Sequence, residues 1–373
     1  MKTKSITPEL GVKTETVNKK MLLKKWQKLA VLFLALISLL SVVFFTFYIQ
    51  HKFNKFDQIA IENSAAAAQN SQDDIPSNYI RRQLDGVYVE PEQADNFPRA
   101  VMIDNDPRAR PQGGLAAANL VYEARAESNI TRYLAVFSEL SDIEKIGPVR
   151  SARPYFLDWS QGIGALYVHV GGSQQALKKI QTERILDIDE YYNENFFWRA
   201  DDKSAPHNVY TSAELMNEYL QLLSVDKPRY SSWLYKDDLE FDSRSEAQQI
   251  EIDYGVFNFN VVWVYNKESN SYTRQQAGII YKDLDEKTVE AKNIIIMSVE
   301  SEVIDSELRR EMATIGNGRA VYCFDGACHD GVWRKANSKE REKIYDINNV
   351  EVKFNAGTTW IQVVQDDVSV VIN

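Results

Sequence analysis

The residues best suited to recognition in this sequence are two arginines close to the start of an expected helix. Arg150 and Arg153 stand in KIGPVRSARP, residues 145–154, with Ser151 between them. Free backbone N–H groups and the positive end of a helix dipole attract anions, and guanidinium groups bind carboxylate or phosphate through paired hydrogen bonds. The stretch therefore predicts an anion site. The alternative is an internal ion-pair network with acidic residues of the same domain, namely Asp104, Glu123 and Glu127.

Two glutamates four residues apart are candidates for acid–base chemistry. Glu123 and Glu127 lie in an alternating segment, and this spacing in a strand predicts that both side chains share one face with Arg125. Two carboxyl groups near an arginine could act as general acid and general base on a glycan. The alternative is a solvated or ion-paired strand face.

A polar loop supplies a further candidate group. His207 and Asn208 lie in KSAPHNVY, residues 203–210, and loops held by a rigid scaffold often carry functional side chains. The segment just before this loop is rich in aromatic side chains, which suit either stacking on sugar rings or ordinary packing. They are Tyr191, Tyr192, Phe196, Phe197 and Trp198.

The two cysteines, Cys323 and Cys328, flank the tetrapeptide FDGA, in which Asp-Gly favours a tight hairpin turn. The thiols then face one another across the hairpin, which predicts a disulfide in an oxidising compartment. A zinc site with the adjacent His329 is the alternative. Four spacer residues and the lack of a second cysteine pair make a poor zinc pattern, and we predict no metal site.

Several well-marked active-site motifs do not occur in the sequence. It contains no G-x-x-x-x-G-K-[ST], no H-E-x-x-H, no C-x-x-C and no G-x-S-x-G. The common signatures of nucleotide, zinc and serine-hydrolase sites are therefore missing, and we predict no cofactor. Whether the protein is an enzyme stays open at this point.

The hydrophobic pattern places these residues on a sheet with helices. Strands are predicted over 99–105, 120–127, 130–140 and 165–173, and helices over 154–161, 174–180 and 212–223. This alternation predicts an α/β domain over 97–236 that carries the candidate site. After Asp237, segments rich in Val, Ile, Tyr and Trp alternate with Gly, Asn and Asp turns, which predicts a β-rich domain over 250–373.

The 373 residues are enough for two modest domains with extensions, and a mean hydropathy of −0.38 argues against a polytopic membrane protein. The net charge of −10 hides an asymmetry, because residues 1–28 hold eight lysines and two glutamates. Residues 29–49 follow without a charge, Pro or Gly and are long enough to span a bilayer. We predict one transmembrane helix, with the basic tail in the cytoplasm and the remainder outside it.

Residues 50–96 contain a stretch of small, polar residues without periodicity and are predicted to be a flexible stalk. For the second part of this segment, the sequence leaves open either a short hairpin or an extended tether. The small residues Ala65–Ala68 could form a signal-peptide cleavage site after the apolar run, so cleavage is an alternative to a retained helix. The exported part is acidic, whereas phosphate backbones require clustered Lys and Arg, so nucleic acid is not an expected partner.

A combination of short motifs resembles the YerB-like family of bacterial lipoproteins over roughly residues 97–373. The motifs are VMIDN (101–105), ARPQ (109–112), GPVRSAR (147–153), PHNVY (206–210), GVWR (331–334) and GTTW (357–360). The resemblance implies an exported, membrane-tethered protein with two domains of unknown function. The resemblance assigns no catalytic residue to this chain. It does imply that the Arg150/Arg153 stretch and the His207 loop are positions of the family's motifs. The lipid-modified cysteine of the lipoprotein members is missing here, so the predicted tether is the transmembrane helix.

We therefore predict a single-pass cell-membrane protein that binds an anionic cell-wall or lipid-linked ligand outside the cytoplasm. The predicted binding residues are Arg132, Arg150, Ser151, Arg153, His207 and Asn208. One alternative is a cell-wall polymer hydrolase or transferase that uses Glu123 or Glu127 with His207. Another is a structural partner of a second envelope protein.

Overall fold

The computed structural model of the chain describes residues 76, 78–138, 143–225, 227 and 230–373. The predicted cytoplasmic tail (1–28) and the predicted transmembrane helix (29–49) lie outside these residues, as does the first part of the predicted stalk. Within the described ranges, no helix combines the length and the apolar character that crossing a bilayer requires.

The described part of the chain contains three α-helices and many short strands. The helices are α1 (Pro154–Gly162), α2 (Gln174–Glu183) and α3 (Ala213–Leu223). The strands before residue 240 are β1 (Ile80–Arg81), β2 (Tyr88–Val89), β3 (Arg99–Asp104), β4 (Leu120–Glu127), β5 (Ile130–Phe137), β6 (Leu166–His169), β7 (Asp187–Asp189), β8 (Trp198–Arg199), β9 (Val209–Tyr210) and β10 (Leu234–Lys236).

The remaining strands follow in the second half of the chain. They are β11 (Gln249–Asp253), β12 (Val261–Asn266), β13 (Ser271–Gln276), β14 (Ile279–Ile280), β15 (Glu290–Ala291), β16 (Asn293–Ser298), β17 (Ser301–Val303), β18 (Arg310–Met312), β19 (Gly316–Phe324), β20 (Ala327–Lys335), β21 (Lys343–Asp346), β22 (Lys353–Asn355), β23 (Thr359–Val364) and β24 (Ser369–Ile372).

One sheet runs through both predicted domains. Its ten strands follow the order β21-β20-β19-β16-β23-β4-β5-β3-β6-β7. The two halves of the chain meet where β23 pairs in parallel with β4, from Thr359 opposite Leu120 to Gln362 opposite Glu123. The segments 97–236 and 250–373 are therefore joined by a continuous hydrogen-bonded ladder, and both contribute to the two buried clusters.

Side chains that alternate along the strands pack against different partners on the two faces of this sheet. On one face, Met102 and Tyr122 belong to a buried cluster with Phe156 and Trp159 of α1. On the other, buried residues contact a second sheet of six strands, β14-β13-β12-β11-β24 with β15 beside β13. Burial of both faces explains the nearly continuous apolar runs in the central strands.

A buried ion pair ties the two sheets together. Arg274 Nη2 on β13 donates to Glu123 Oε2 on β4 over 2.8 Å, and neither side chain is exposed. Four aromatic rings surround the guanidinium group with centroids 4.6 to 5.6 Å away, those of Tyr133, Trp263, Tyr281 and Trp360. The pair fixes how the six-stranded sheet lies on the ten-stranded one, because separating the partners would leave a buried charge uncompensated.

The predicted helices and the strands around the candidate site are confirmed, with shifts of a few residues at their ends. The predicted disulfide is confirmed as well: Cys323 and Cys328 lie opposite one another on β19 and β20 with Cα atoms 4.0 Å apart. Asp325 and Gly326 between them both have positive φ, which is the backbone of a type I′ hairpin turn.

Part of the predicted stalk is packed structure. In residues 78–96, β1 and β2 form a hairpin, which is one of the two alternatives the sequence left open. Leu84 in its loop is only 1% exposed, and the neighbouring Asp85 accepts a 2.8 Å hydrogen bond from Asn119 Nδ2. The described second part of the 50–96 segment is therefore a hairpin bound to the sheet and not a linker, because Leu84 joins the core.

We predict that Arg274→Met lowers the free energy of unfolding by about 3–5 kcal/mol, since it leaves the buried Glu123 carboxylate with the neutral donors Thr131 and Asn105 but without a cation. The double variant Glu123→Gln/Arg274→Met should recover part of this loss. Urea denaturation followed by tryptophan fluorescence measures both. Arg319→Ala, which breaks an ion pair exposed on both sides, is the control and should change stability by less than about 0.5 kcal/mol. Equal losses in the single and double variants would contradict the role given to the pair.

Candidate functional site

The carboxyl ends of several strands lie along one edge of the ten-stranded sheet. Strands β3 and β4 run the same way because both are antiparallel to β5, while β6 is parallel to β3 and β7 is parallel to β6. They end at Asp104, Glu127, His169 and Asp189. Sheets with parallel strands place their ligand crevices at this edge.

Helices α1 and α2 both begin at this edge, and backbone hydrogen bonds hold their starts together. Ala152 N–H donates to Gly171 O over 2.9 Å, and Ser173 N–H donates to Ala152 O over 3.2 Å. The Ser173 hydroxyl caps α2 by accepting from Ala176 N–H, whereas Arg153 at the cap position of α1 supplies no capping acceptor. The start of α1 therefore leaves backbone N–H groups uncapped and adds a partial positive charge at this edge.

The Glu127 carboxylate is shared by two arginines next to α1. Arg132 Nη2 donates to Oε2 over 2.8 Å, and Arg153 Nη2 donates to Oε1. Arg132 also donates to the Ser151 carbonyl, and Arg153 donates to the Ala152 carbonyl. Burial lowers the pKa of both guanidinium groups below the ordinary arginine value. One carboxylate thus faces two buried cations, which leaves an excess of positive charge.

A cleft of about 270 Å³ opens beside Arg153, lined by the first residues of α1 and α2 and by the hairpin of β17 and β18. We call it the cation cleft; its charged lining residues are Arg153, Asp158, Lys179, Arg309, Arg310 and Glu311. Four cations against two carboxylates give it a net charge of +2. Besides Arg153, which contacts Glu127, two of the cations have internal partners: Lys179 lies 2.5 Å from Asp158, and Arg309 lies 2.6 Å from Asp305.

The other two cations of the cleft keep donors free. Arg153 Nε is buried and has no hydrogen-bond partner. Arg310 donates from Nε to the Ser128 carbonyl over 3.3 Å, and its two Nη groups have no partner within the described ranges. Unpartnered guanidinium donors beside helix N-termini suit an anion with several acceptor oxygens, such as a phosphate or a carboxylate.

A second cluster forms around Asp104 at the end of β3. His207 Nδ1 lies 2.7 Å from Asp104 Oδ2, and Arg150 Nε lies 3.1 Å from the same oxygen. Asp104 Oδ1 accepts from Asp106 N–H over 3.0 Å. His207 is buried, and its Nε2 lacks a hydrogen-bond partner in the part of the chain described. The cluster holds the 203–208 loop against β3 through the Arg150–Asp104 ion pair and the contact between His207 and Asp104.

Glu123 and Glu127 contact opposite sides of the sheet. The β4–β5 register shifts between Arg125 and Glu127, which marks a β-bulge. Glu123 therefore pairs with Arg274 of the six-stranded sheet, whereas Glu127 contacts its two arginines beside α1. The prediction that both glutamates share one face is wrong, because the extra residue of the bulge reverses the alternation beyond it.

The structure distributes the predicted site residues over separate networks. One network joins Arg132, Ser151 and Arg153 at Glu127, and another joins Arg150 and His207 at Asp104. Asn208 bonds within its own strand connection, to Arg199 and the Ala200 carbonyl. Among the described residues, no hydrogen bond or ion pair joins any two of the candidate catalytic residues Glu123, Glu127 and His207.

Sequence reasoning missed three cations of the cleft. Lys179 lies on the predicted helix α2, and a lysine on the surface of a helix does not by itself indicate a binding site. Arg309 and Arg310 are adjacent in the sequence, which is a visible cue, but they lie far along the chain from Arg153. Only the packing of the β17–β18 hairpin against α1 brings them to the site. In the described ranges, no group of three His, Cys, Asp or Glu side chains is arranged to hold a metal ion.

Comparisons with known proteins agree with the two halves of the chain. Residues 84–226 match the model "Protein of unknown function (DUF3048) N-terminal domain", and residues 250–361 match the corresponding C-terminal domain. A protein of Bacillus subtilis (strain 168) named "Putative lipoprotein YerB" is 32% identical over 296 residues, which cover 77% of this chain and 87% of the relative.

A solved structure is similar as well. The crystal structure of YerB protein from Bacillus subtilis superposes with a TM-score of 0.70 at 31% identity, and the match covers 78% of this chain and 99% of that one. The resemblance inferred from the short motifs is thereby confirmed at the level of sequence and of fold.

We predict that Glu127→Gln lowers the free energy of unfolding by about 2–3 kcal/mol, because two buried guanidinium groups lose their shared carboxylate. Replacing sodium chloride by sodium phosphate at equal ionic strength should restore part of that stability, since a bound anion takes over the lost charge. Urea denaturation in the two salts measures this.

Glu311→Gln is the matched control, because Glu311 lines the same cleft but is exposed and shares no ion pair with Arg132 or Arg153. Its stability should stay close to that of the wild type in both salts. Similar losses in the two variants, or no recovery of Glu127→Gln in phosphate, would contradict the account of the network.

Proposed function

This chain belongs to the DUF3048 family, and we propose that it is a membrane-tethered envelope protein that binds an anionic ligand in the cation cleft. The ligand class is a molecule bearing a phosphate or carboxylate group, from the cell wall or linked to lipid. The observation that carries the proposal is the free donors of Arg153 and Arg310 beside the N-termini of two helices.

Three observations support a location outside the cytoplasm. The similar Bacillus subtilis protein is named as a lipoprotein. The disulfide between Cys323 and Cys328 is a bond typical of oxidising compartments. The apolar run 29–49 behind a lysine-rich tail is the tether we propose, as a single span with the N-terminus in the cytoplasm.

Electrostatics favours an anion in the cleft. The whole chain carries a net charge of −10, yet Arg310 in the lining of the cleft forms no ion pair in the described structure. Arg153 is held by Glu127 in a position where its Nε still lacks an acceptor. An oxyanion placed there would accept from the Nη groups of Arg310 and from backbone N–H groups of α1 without any rearrangement of the internal ion pairs, whereas the buried Nε of Arg153 becomes a donor only if its side chain moves.

The geometry favours binding over hydrolysis by the predicted glutamates. A general acid–base pair needs two carboxyl groups facing one substrate across a cleft. Glu123 is buried between the sheets against Arg274, and Glu127 is occupied by two arginines. Neither carboxyl group is placed to exchange a proton with a ligand in the cation cleft.

Titration of the purified full-length chain with inorganic phosphate, pyrophosphate and citrate tests the proposal. We expect saturable binding by isothermal titration calorimetry that weakens with added salt, as charge-assisted contacts do. Arg310→Ala should weaken the affinity about tenfold, because it removes charge-assisted hydrogen bonds. Thermal unfolding should be almost unchanged, since in the described structure only one backbone contact of Arg310 is lost.

Arg319→Ala is the control, because Arg319 is an exposed arginine on the β19–β20 hairpin and does not line the cleft. It should bind the three anions like the wild type. The proposal fails if none of the anions binds saturably, or if the two arginine variants lose affinity equally.

A further inference from the structure

The loop that follows β7 presents aromatic rings to solvent next to the cation cleft. Tyr191 exposes 69% of its surface, Tyr192 87% and Trp198 36%. We call these three residues the aromatic platform. An exposed ring adds little to folding stability, because it leaves its apolar surface in water. Tyr191 and Tyr192 therefore present a surface that the fold does not need for its own core, while the third ring, Trp198, stacks on Tyr210.

Hydrogen bonds make this exposed loop rigid. Asp189 Oδ1 accepts from Tyr191 N–H over 3.2 Å and from Gly171 N–H over 2.7 Å. The Asp189 carbonyl accepts from the backbone and side-chain nitrogens of Asn193, both at 3.0 Å. A rigid surface loses little conformational entropy when a ligand binds, so the platform is preorganised.

The contacts of Gly171 place Tyr191 of the platform beside the cleft. A Cβ atom on Gly171 would lie 2.5 Å from Cε2 of Tyr191, so the tyrosine ring lies directly on this glycine. Gly171 has a φ of +54° and accepts a hydrogen bond from Ala152, the residue before Arg153. Ser173, which lines the cleft, is two residues further on, at most about 7 Å of extended chain. A short saccharide can span that distance.

We propose that the ligand of the cation cleft is an acidic saccharide whose ring stacks on the aromatic platform while its phosphate or carboxylate lies among Arg153 and Arg310. This inference rests on the proposed anion-binding function and names its substrate class. The C–H face of a pyranose packs on the face of an aromatic ring, and the tyrosine hydroxyl groups can hydrogen-bond to sugar hydroxyls at the rim. A simple anion would leave the platform unused.

Calorimetric titration of the full-length chain with four probes tests this. The probes are inorganic phosphate, glucose 6-phosphate, glucuronate and adenosine monophosphate. We expect one of the two acidic sugars to bind more tightly than inorganic phosphate, and the choice between them identifies phosphate or carboxylate as the preferred anion. Tyr191→Ala/Tyr192→Ala should weaken the acidic sugar about tenfold and leave inorganic phosphate unchanged.

Two further variants separate stacking from other effects. Tyr191→Phe/Tyr192→Phe should retain most of the affinity, because the rings remain. Phe257→Ala removes an aromatic side chain that is exposed to a similar extent, 67%, but belongs to the loop before β12, and it should bind like the wild type.

The possible failures are distinguishable. Binding of inorganic phosphate without any gain for the acidic sugars overturns the saccharide assignment and leaves the proposed anion site standing. A gain for the sugars that survives Tyr191→Ala/Tyr192→Ala overturns the role of the platform. Tighter, tyrosine-dependent binding of adenosine monophosphate would replace a saccharide by a nucleotide. No saturable binding of any anion would overturn the proposed function itself.

Discussion

The buried ion pair between Glu123 and Arg274 is the constraint on which the arrangement of the described chain depends. It joins β4 of the ten-stranded sheet to β13 of the six-stranded sheet, inside a box of four aromatic rings. The attraction between two buried charges offsets the free-energy cost of removing them from water only while they stay in contact. The pair therefore permits one relative position of the sheets. The two family domains thus contribute to the same two buried clusters and are joined by the β23–β4 ladder.

This shared core is what assembles the candidate site. The first half of the chain supplies the two helix N-termini, Arg153 and Lys179, and the second half supplies Arg309 and Arg310 on the β17–β18 hairpin. Neither half alone carries the full set of cations. Glu127 then holds Arg153 at the rim, and the Nη groups of Arg310 are the guanidinium donors of the cleft that have no partner in the described structure.

Local patterns were enough to predict the helices α1 to α3, the strands β3 to β6 and the disulfide hairpin, because periodicity and an Asp-Gly turn are properties of neighbouring residues. The positions of Glu123 and Glu127 on opposite sides depend on a bulge that leaves no mark in the sequence. The pairing of both segments in one sheet and the position of Arg310 beside Arg153 depend on contacts between residues far apart in the chain, which local patterns do not predict. The internal ion pairs of Arg150 and Arg153 match the alternative that the sequence left open, and the anion site is what we propose beside them.

The central claim is that the cation cleft is an oxyanion site. A crystal structure grown with tungstate tests it most directly, because the tungsten atom can be located by its anomalous scattering. The account predicts a peak in the cation cleft, within hydrogen-bond distance of Arg153, Arg310 and a backbone N–H at the start of α1. Tungstate bound only at exposed lysines or arginines elsewhere on the surface, with the cleft empty, would contradict it.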